Sequence, residues 1–304
     1  MATIINDGIL EGVLTSPIED STIINTSNGS VQGITSSLGN NYIENNGYCF
    51  GQLNGVRGNN IIVNTGEITA DVTLGEGKNK FTNTGKAKVI SGIGDTYISN
   101  TGNISEGIYA VDGNDYVDNS GSINKVYVGN GDNVVVNSGT VTDSISAEDG
   151  NNKIYNSGTV SSIELGNGNN TIKNSKTIES IKLGTGDNFV VINEGSTNVS
   201  ITFAERGNCN LRPLAETKYY LYFDKSVENL VFYKVINDLK IEQRARSAIV
   251  IESYFNLTRD IKINDRKVAD LIKHREAFVQ KEEKIAWDEN ALAIKVGLIY
   301  TKSM

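Results

Sequence analysis

The chain has 304 residues, with 28 Lys or Arg against 36 Asp or Glu, a formal net charge of -8 and 38% hydrophobic residues. The acidic surplus argues against the footprint of a nucleic-acid binder, and the low apolar content suits a thin repeat array better than one thick core. With 31 Gly, 2 Pro and 2 Cys, the chain is neither a proline-rich linker, nor collagen, nor a disulfide scaffold.

The amino terminus reads MATIINDGILEG. No basic stretch precedes an apolar run there, so no cleavable signal peptide is expected. Nowhere do apolar residues continue for the 18 or so positions that a membrane span needs. Strand-like sequence starts at Thr3, so the first coil is expected to present an uncapped β-edge that invites pairing with another chain.

A repeat runs from this point through two-thirds of the chain. Anchored on the Asn of an N-[ST]-G signature, it places Asn6, Asn25, Asn45, Asn64, Asn83, Asn100, Asn119, Asn137, Asn156 and Asn174 at spacings of 17 to 20 residues. The clearest copies fill residues 116–188 and are 18, 19, 18 and 18 residues long. Two residues before each Asn stands an apolar ladder, Ile4, Ile23, Ile43, Ile62, Phe81, Ile98, Val117, Val135, Ile154 and Ile172. Four residues after it comes a second: Leu10, Cys49, Ile68, Ala87, Ile104, Ile123, Val141, Val160 and Ile178, with Gly29 the one break. A third runs Val13, Ile34, Leu53, Val72, Val89, Ile108, Val126, Ile145, Ile163 and Ile181.

β-Branched residues and apolar-polar alternation, as in TVSSIEL, give strand periodicity. A unit this short cannot bury a core alone, but stacking repeats makes the three ladders one interior. The expectation is a mainly β chain: a parallel β-solenoid of ten or eleven coils over 1–208, capped by a small β-rich domain with a helix over 209–304. The Asn column Asn64, Asn83, Asn100, Asn119, Asn137, Asn156 and Asn174 is read as a structural ladder of stacked amides. Cys49 falls in the core and Cys209 about eight coils on, roughly 40 Å at strand spacing, so no disulfide is expected within one chain.

Composition breaks near residue 200. Residues 1–200 hold 10 basic and 21 acidic side chains, net -11, and residues 201–304 hold 18 and 15, net +3. The repeat drifts at residues 189–208, with Asn193 one place late. Strand-like segments and turns follow, and residues 266–283, RKVADLIKHREAFVQKEE, have a helical spacing of apolar side chains.

Catalytic chemistry finds little to work with. The one histidine, His274, lies among charged residues, too few for the usual metal constellations, and no GxSxG, Walker or CxxC motif occurs. Arg57 is the one Arg of residues 1–200, and solenoid enzymes that act on acidic polysaccharides need clustered charged groups, so no enzymatic activity is expected. Thr140 and Thr142 make no flat Thr row of the kind that binds ice. Tyr42, Tyr97 and Tyr116 stand at outward positions where sugars stack, or simply decorate a β-surface.

The phrase L-G-x-G-[DN]-N-x-[IV]-x-N-S-G-T-[IV], as in Gly129 to Ser144, resembles two groups. One is the repeats-in-toxin group, whose calcium nonapeptide is G-G-x-G-x-D-x-U-x; the other is the bacterial surface and autotransporter repeats that read GNDTVTNSGTI. SVENLVFYKVINDLKI, SAIVIESYFN and DIKINDRKVADLI resemble the domain that follows repeats-in-toxin arrays. That resemblance implies type I secretion without a cleaved leader and calcium-assisted folding outside the cell. At the liganding Asp of the nonapeptide this chain has Asn79, Thr96, Asp115, Asn133, Asn152, Asn170 and Asn188, with Asp95, Asp132 and Asp187 one residue early. Asp95, Asp115, Asp132 and Asp187 are the candidate calcium ligands; one Asp in seven is thin provision, so a calcium-independent solenoid stands beside the calcium array. The function expected is a non-enzymatic, extracellular bacterial structural protein, surface-layer or adhesin-like, that forms homo-oligomers or a lattice and meets cell-surface polysaccharide. Its alternative is an accessory calcium- or carbohydrate-binding module of a larger secreted toxin or enzyme.

Overall fold

The computed structural model describes residues 2–16, 20–36, 38–176, 178–193, 198–204, 206–213, 218–223, 231–235, 238–244, 247–252, 261–263, 266–267, 286–288 and 293–295. The chain divides into two units, Met1–Ser161 and Ser162–Met304. Both carry coils of a parallel β-solenoid, about 11 in all, and no described residue is helical. No helix among the described residues is long and apolar enough to cross a membrane.

In the first unit, each coil contributes a short strand of the form x-[IVF]-x-Asn to one sheet. The strands are Thr3–Asn6, Thr22–Asn25, Tyr42–Asn45, Ile61–Asn64, Asn79–Asn83, Thr96–Asn100, Tyr116–Asn119, Val134–Asn137 and Lys153–Asn156. Their register sets Asn on Asn and apolar on apolar through the series, as in Ile98↔Val117 and Asn100↔Asn119. Burial alternates as the period of two demands: in Val134–Asn137, Val135 and Asn137 are buried while Val134 and Val136 are half-covered. After a tight corner each coil enters the second sheet. There the ladder four residues after the Asn stacks as Ile104↔Ile123↔Val141, and the third stacks as Ile108↔Val126↔Ile145. All these side chains are fully buried.

The register corrects the sequence reading at three places. Gly29 does not break the second ladder. The second coil carries two extra residues between Asn25 and its glycine, so Val31 pairs with Leu10 on one side and Cys49 on the other. In the third ladder, Leu14 and not Val13 pairs with Ile34, and Ile90 and not Val89 pairs with Val72. The two slips in the third ladder are one-residue irregularities, which flip the next side chain to the other face, whereas the two-residue insertion of the second coil keeps the face and moves the position. A fourth buried column, including Leu74, Ala110, Val128 and Ala147, stands two residues beyond the third and went unread because its members vary in size.

In the second unit, the strand Ser180–Leu183 pairs in parallel with residues 162–165 and with Asn198–Phe203. Thr171–Asn174 pairs with Phe189–Ile192, so Ile192 takes the ladder place that Asn193 misses by one. Parallel pairing runs on past residue 208. Gly186–Ile192 pairs with Gly207–Pro213, and Cys209–Leu211 with Ile249–Ile251. In the other sheet, Asn198–Phe203 pairs with Lys218–Phe223, and Tyr219–Leu221 with Ile261–Ile263. Antiparallel strands then close the first sheet: Asp238–Arg244 lies between Ser247–Ile251 and Val231–Val235. Of the segment read as a helix, Arg266–Lys267 is a strand antiparallel to residues 262–263; the rest, His274 included, lies outside the described residues.

Candidate functional site

The corners between strands hold the chain's polar chemistry, arranged in three columns. The middle column is the expected Asn ladder. Each Nδ2 donates to the Oδ1 of the Asn in the next coil: Asn64 to Asn83 at 2.7 Å, Asn83 to Asn100, Asn100 to Asn119 and Asn119 to Asn137 at 2.8 Å, and Asn137 to Asn156 at 2.7 Å. The same Nδ2 donates to the carbonyl two residues on, Gly121 for Asn119 and Gly158 for Asn156. In the second unit Asn174 Nδ2 donates to the Lys176 carbonyl at 2.6 Å. From Asn64 to Asn137, both amide functions are thus committed to the neighbouring coil and the corner, and the side chains are buried.

The second column is one the sequence presented only as the nonapeptide's ligand position. There too the side-chain oxygen accepts from the previous coil, but the donor is a peptide N–H instead of a side-chain amide. Asn60 N donates to Asn79 Oδ1 at 2.9 Å, Thr96 N to Asp115 Oδ1 at 2.9 Å, Asp115 N to Asn133 Oδ1 at 2.9 Å and Asn133 N to Asn152 Oδ1 at 3.2 Å. Each Asn fills its remaining valence by donating Nδ2 to the carbonyls two and four residues back, as Asn133 does to Gly131 and Gly129, both at 3.1 Å. An Asn at the same place in nearly every coil was the signal; its role lay in these corner carbonyls, which only the fold brings round.

The third column, one residue earlier, holds Asp95, half-buried, and Asp132 and Asp187, both exposed. Here a carboxylate or amide oxygen accepts the peptide N–H of the following coil: Asn114 N donates to Asp95 Oδ1 at 3.0 Å, Asp132 N to Asn114 Oδ1 at 2.8 Å and Asn151 N to Asp132 Oδ1 at 2.7 Å. Asp187 Oδ1 accepts from Asn208 Nδ2 at 2.7 Å. The candidate calcium ligands therefore fall in different columns, each with an oxygen already used by the backbone or a side-chain amide. Among the described residues no group of three or more His, Cys, Asp or Glu is placed to hold a metal ion.

Asp115 stands apart. Its side chain is buried, and its Oδ2 has no hydrogen-bond partner. Burial, above all, pushes its carboxyl up to about 6, with the charges of Asp95 and Asp112 adding to the shift against hydrogen bonding from the Thr96 backbone and side chain.

The outward tyrosines form a column of a different kind. Tyr97 and Tyr116 stack face to face, with centroids 5.1 Å apart and planes 1° off parallel, and the Lys80 ammonium sits 5.4 Å from the Tyr97 centroid. One face of each ring is thus turned onto the other, and the lysine lies over the Tyr97 ring. Tyr42 is engaged separately, donating its hydroxyl to Glu44 at 2.9 Å.

The thiols of Cys49 and Cys209 are free and buried. Burial raises the Cys49 thiol to about 11 and pushes Cys209 higher still, so both act as small core hydrophobes. At the first coil the core is open. Leu10 is 37% exposed where its stacked counterparts Val31 and Cys49 are 0%, and Ile9 and Val13 beside it are 84% and 54% exposed.

No family model matches the chain, and no curated protein matches it.

Proposed function

We propose that the chain is a non-enzymatic structural protein of the bacterial cell exterior, surface-layer or adhesin-like, that self-associates through its first coil. The carrying observation is that coil's edge. Two strands, Thr3–Asn6 and Ile9–Thr15, each pair on one side only among the described residues, and the apolar side chains they carry at Ile5, Ile9, Leu10 and Val13 are exposed. An edge of this kind is completed by another β-coil and penalised in water. The amides of the Asn column, committed to the fold, are consistent with that role. Secretion by a type I route, and contact with cell-surface polysaccharide, rest on the resemblance of the repeats to bacterial surface and repeats-in-toxin sequences.

The same edge also fits one more coil of a longer chain, which favours the second reading, an accessory module of a larger secreted toxin or enzyme. Sedimentation velocity with calcium and with chelator separates the alternatives. Self-association predicts concentration-dependent oligomers in both conditions. A strict monomer in both contradicts it, and oligomers that need calcium would restore the ion to the account.

A further inference from the structure

We propose that Asp115 folds as the neutral carboxylic acid and takes the place of an asparagine in the inner corner column, so that one coil is held by a proton the Asn coils do not need. Its Oδ1 does what an Asn Oδ1 does in the coils around it, accepting the peptide N–H of Thr96 at 2.9 Å as Asn133 Oδ1 accepts that of Asp115. Its other oxygen, buried and without a partner, therefore occupies the place where Asn79, Asn133 and Asn152 carry an Nδ2 that donates to the carbonyls two and four residues back. At Asp115 those carbonyls belong to Gly113 and Val111. A carboxylate oxygen facing carbonyl oxygens is repulsive and unsolvated, whereas a protonated Oδ2 is a donor.

The coil before supplies the precedent. Thr96 fills the same column and donates its hydroxyl to the Gly94 carbonyl at 2.9 Å, so an O–H already replaces an N–H at this corner. The charged and polar groups around Asp115 favour the neutral form. From the preceding coil Asp95, and from the end of the strand just before its own corner Asp112, both act to raise its pKa. The following coil brings the neutral amide of Asn133 and the carboxylate of Asp132, whose Oδ1 is turned to Asn151.

The acid thus binds its proton more tightly folded than unfolded. Its stabilisation is complete below the ordinary value of 3.8 and is lost as pH rises through about 6. The gap corresponds to a relative loss of roughly a hundredfold in the folding equilibrium constant.

The test is a set of thermal melts of the full chain from about pH 4 to 8, comparing wild type, Asp115→Asn and Asp95→Asn, each with chelator and with calcium. Wild type and Asp115→Asn should melt alike at the acid end and diverge as pH rises to 7, with the Asn variant the more stable. Asp95→Asn, which removes one of the charges that raise the Asp115 carboxyl, should keep the wild-type pH dependence in weakened form. Because the Asn variant could fail for steric reasons, the wild-type carboxyl is also followed by ¹³C NMR, where the Asp115 resonance should titrate near pH 6. A pH-independent gap between the two proteins, a resonance that titrates near 4, or calcium stabilisation of wild type that Asp115→Asn abolishes would each overturn the proposal. The last outcome means an ionised carboxylate holding a cation.

Discussion

Asparagine is useful here because one amide both donates and accepts. In the middle column each Asn gives Nδ2 to the next coil and to its own corner carbonyl and takes a bond on Oδ1, so removing one leaves two neighbours unsatisfied. Asn119, bonded to Asn137 and Gly121 and receiving from Asn100, is the cleanest test. Asn119→Ala should cost about 3 kcal/mol, read as a lowered midpoint in urea. Asn119→Asp should cost at least as much at pH 7, since an acceptor would replace the donor. Cys49, with its thiol raised to about 11 by burial, should not react with an aromatic disulfide reagent until the protein is unfolded. Rapid reaction in the native state would mean that the coil opens locally.

At the scale of the coil, the glycine after the Asn is fixed by stacking, not by a left-handed backbone. A Cβ on Gly121 would lie 2.1 Å from the Gly102 carbonyl oxygen, and one on Gly139 2.1 Å from that of Gly121. The obstruction is backbone in the coil below, which cannot swing aside. Gly121→Ala should therefore destabilise by about 3 kcal/mol, and a melting temperature within a degree or two of wild type would contradict this contact. The same logic explains what the sequence disclosed. Ile98, Val117 and Val135 recur at a fixed offset from the Asn, and any reader of the period finds them. Val31, Leu14 and Ile90 were misread because an inserted or bulged residue leaves the composition unchanged while shifting which position meets the core. The inner column was visible as a recurring Asn yet legible only as a would-be calcium position, since its partners are carbonyls of the corner, made adjacent by folding.

For the whole molecule, the surface offers few strong electrostatic handles. Exposed ion pairs such as Arg57–Glu76 and Lys86–Glu67 contribute under about 1 kcal/mol each, and the net charge of -8 works against indiscriminate aggregation. What stands out is the uncovered first coil, foreseeable from strand sequence at Thr3 but not from any motif, because exposure of Leu10 depends on what fails to stack on it. The most direct measurement is sedimentation velocity over a hundredfold concentration range for wild type and for Ile9→Lys combined with Val13→Lys. Both positions are exposed, so the substitutions leave the folded coil intact while charging the edge. The account predicts concentration-dependent association in wild type and a folded monomer for the double variant. Identical behaviour of the two proteins, whether both monomeric or both associated, would contradict self-association through the first coil.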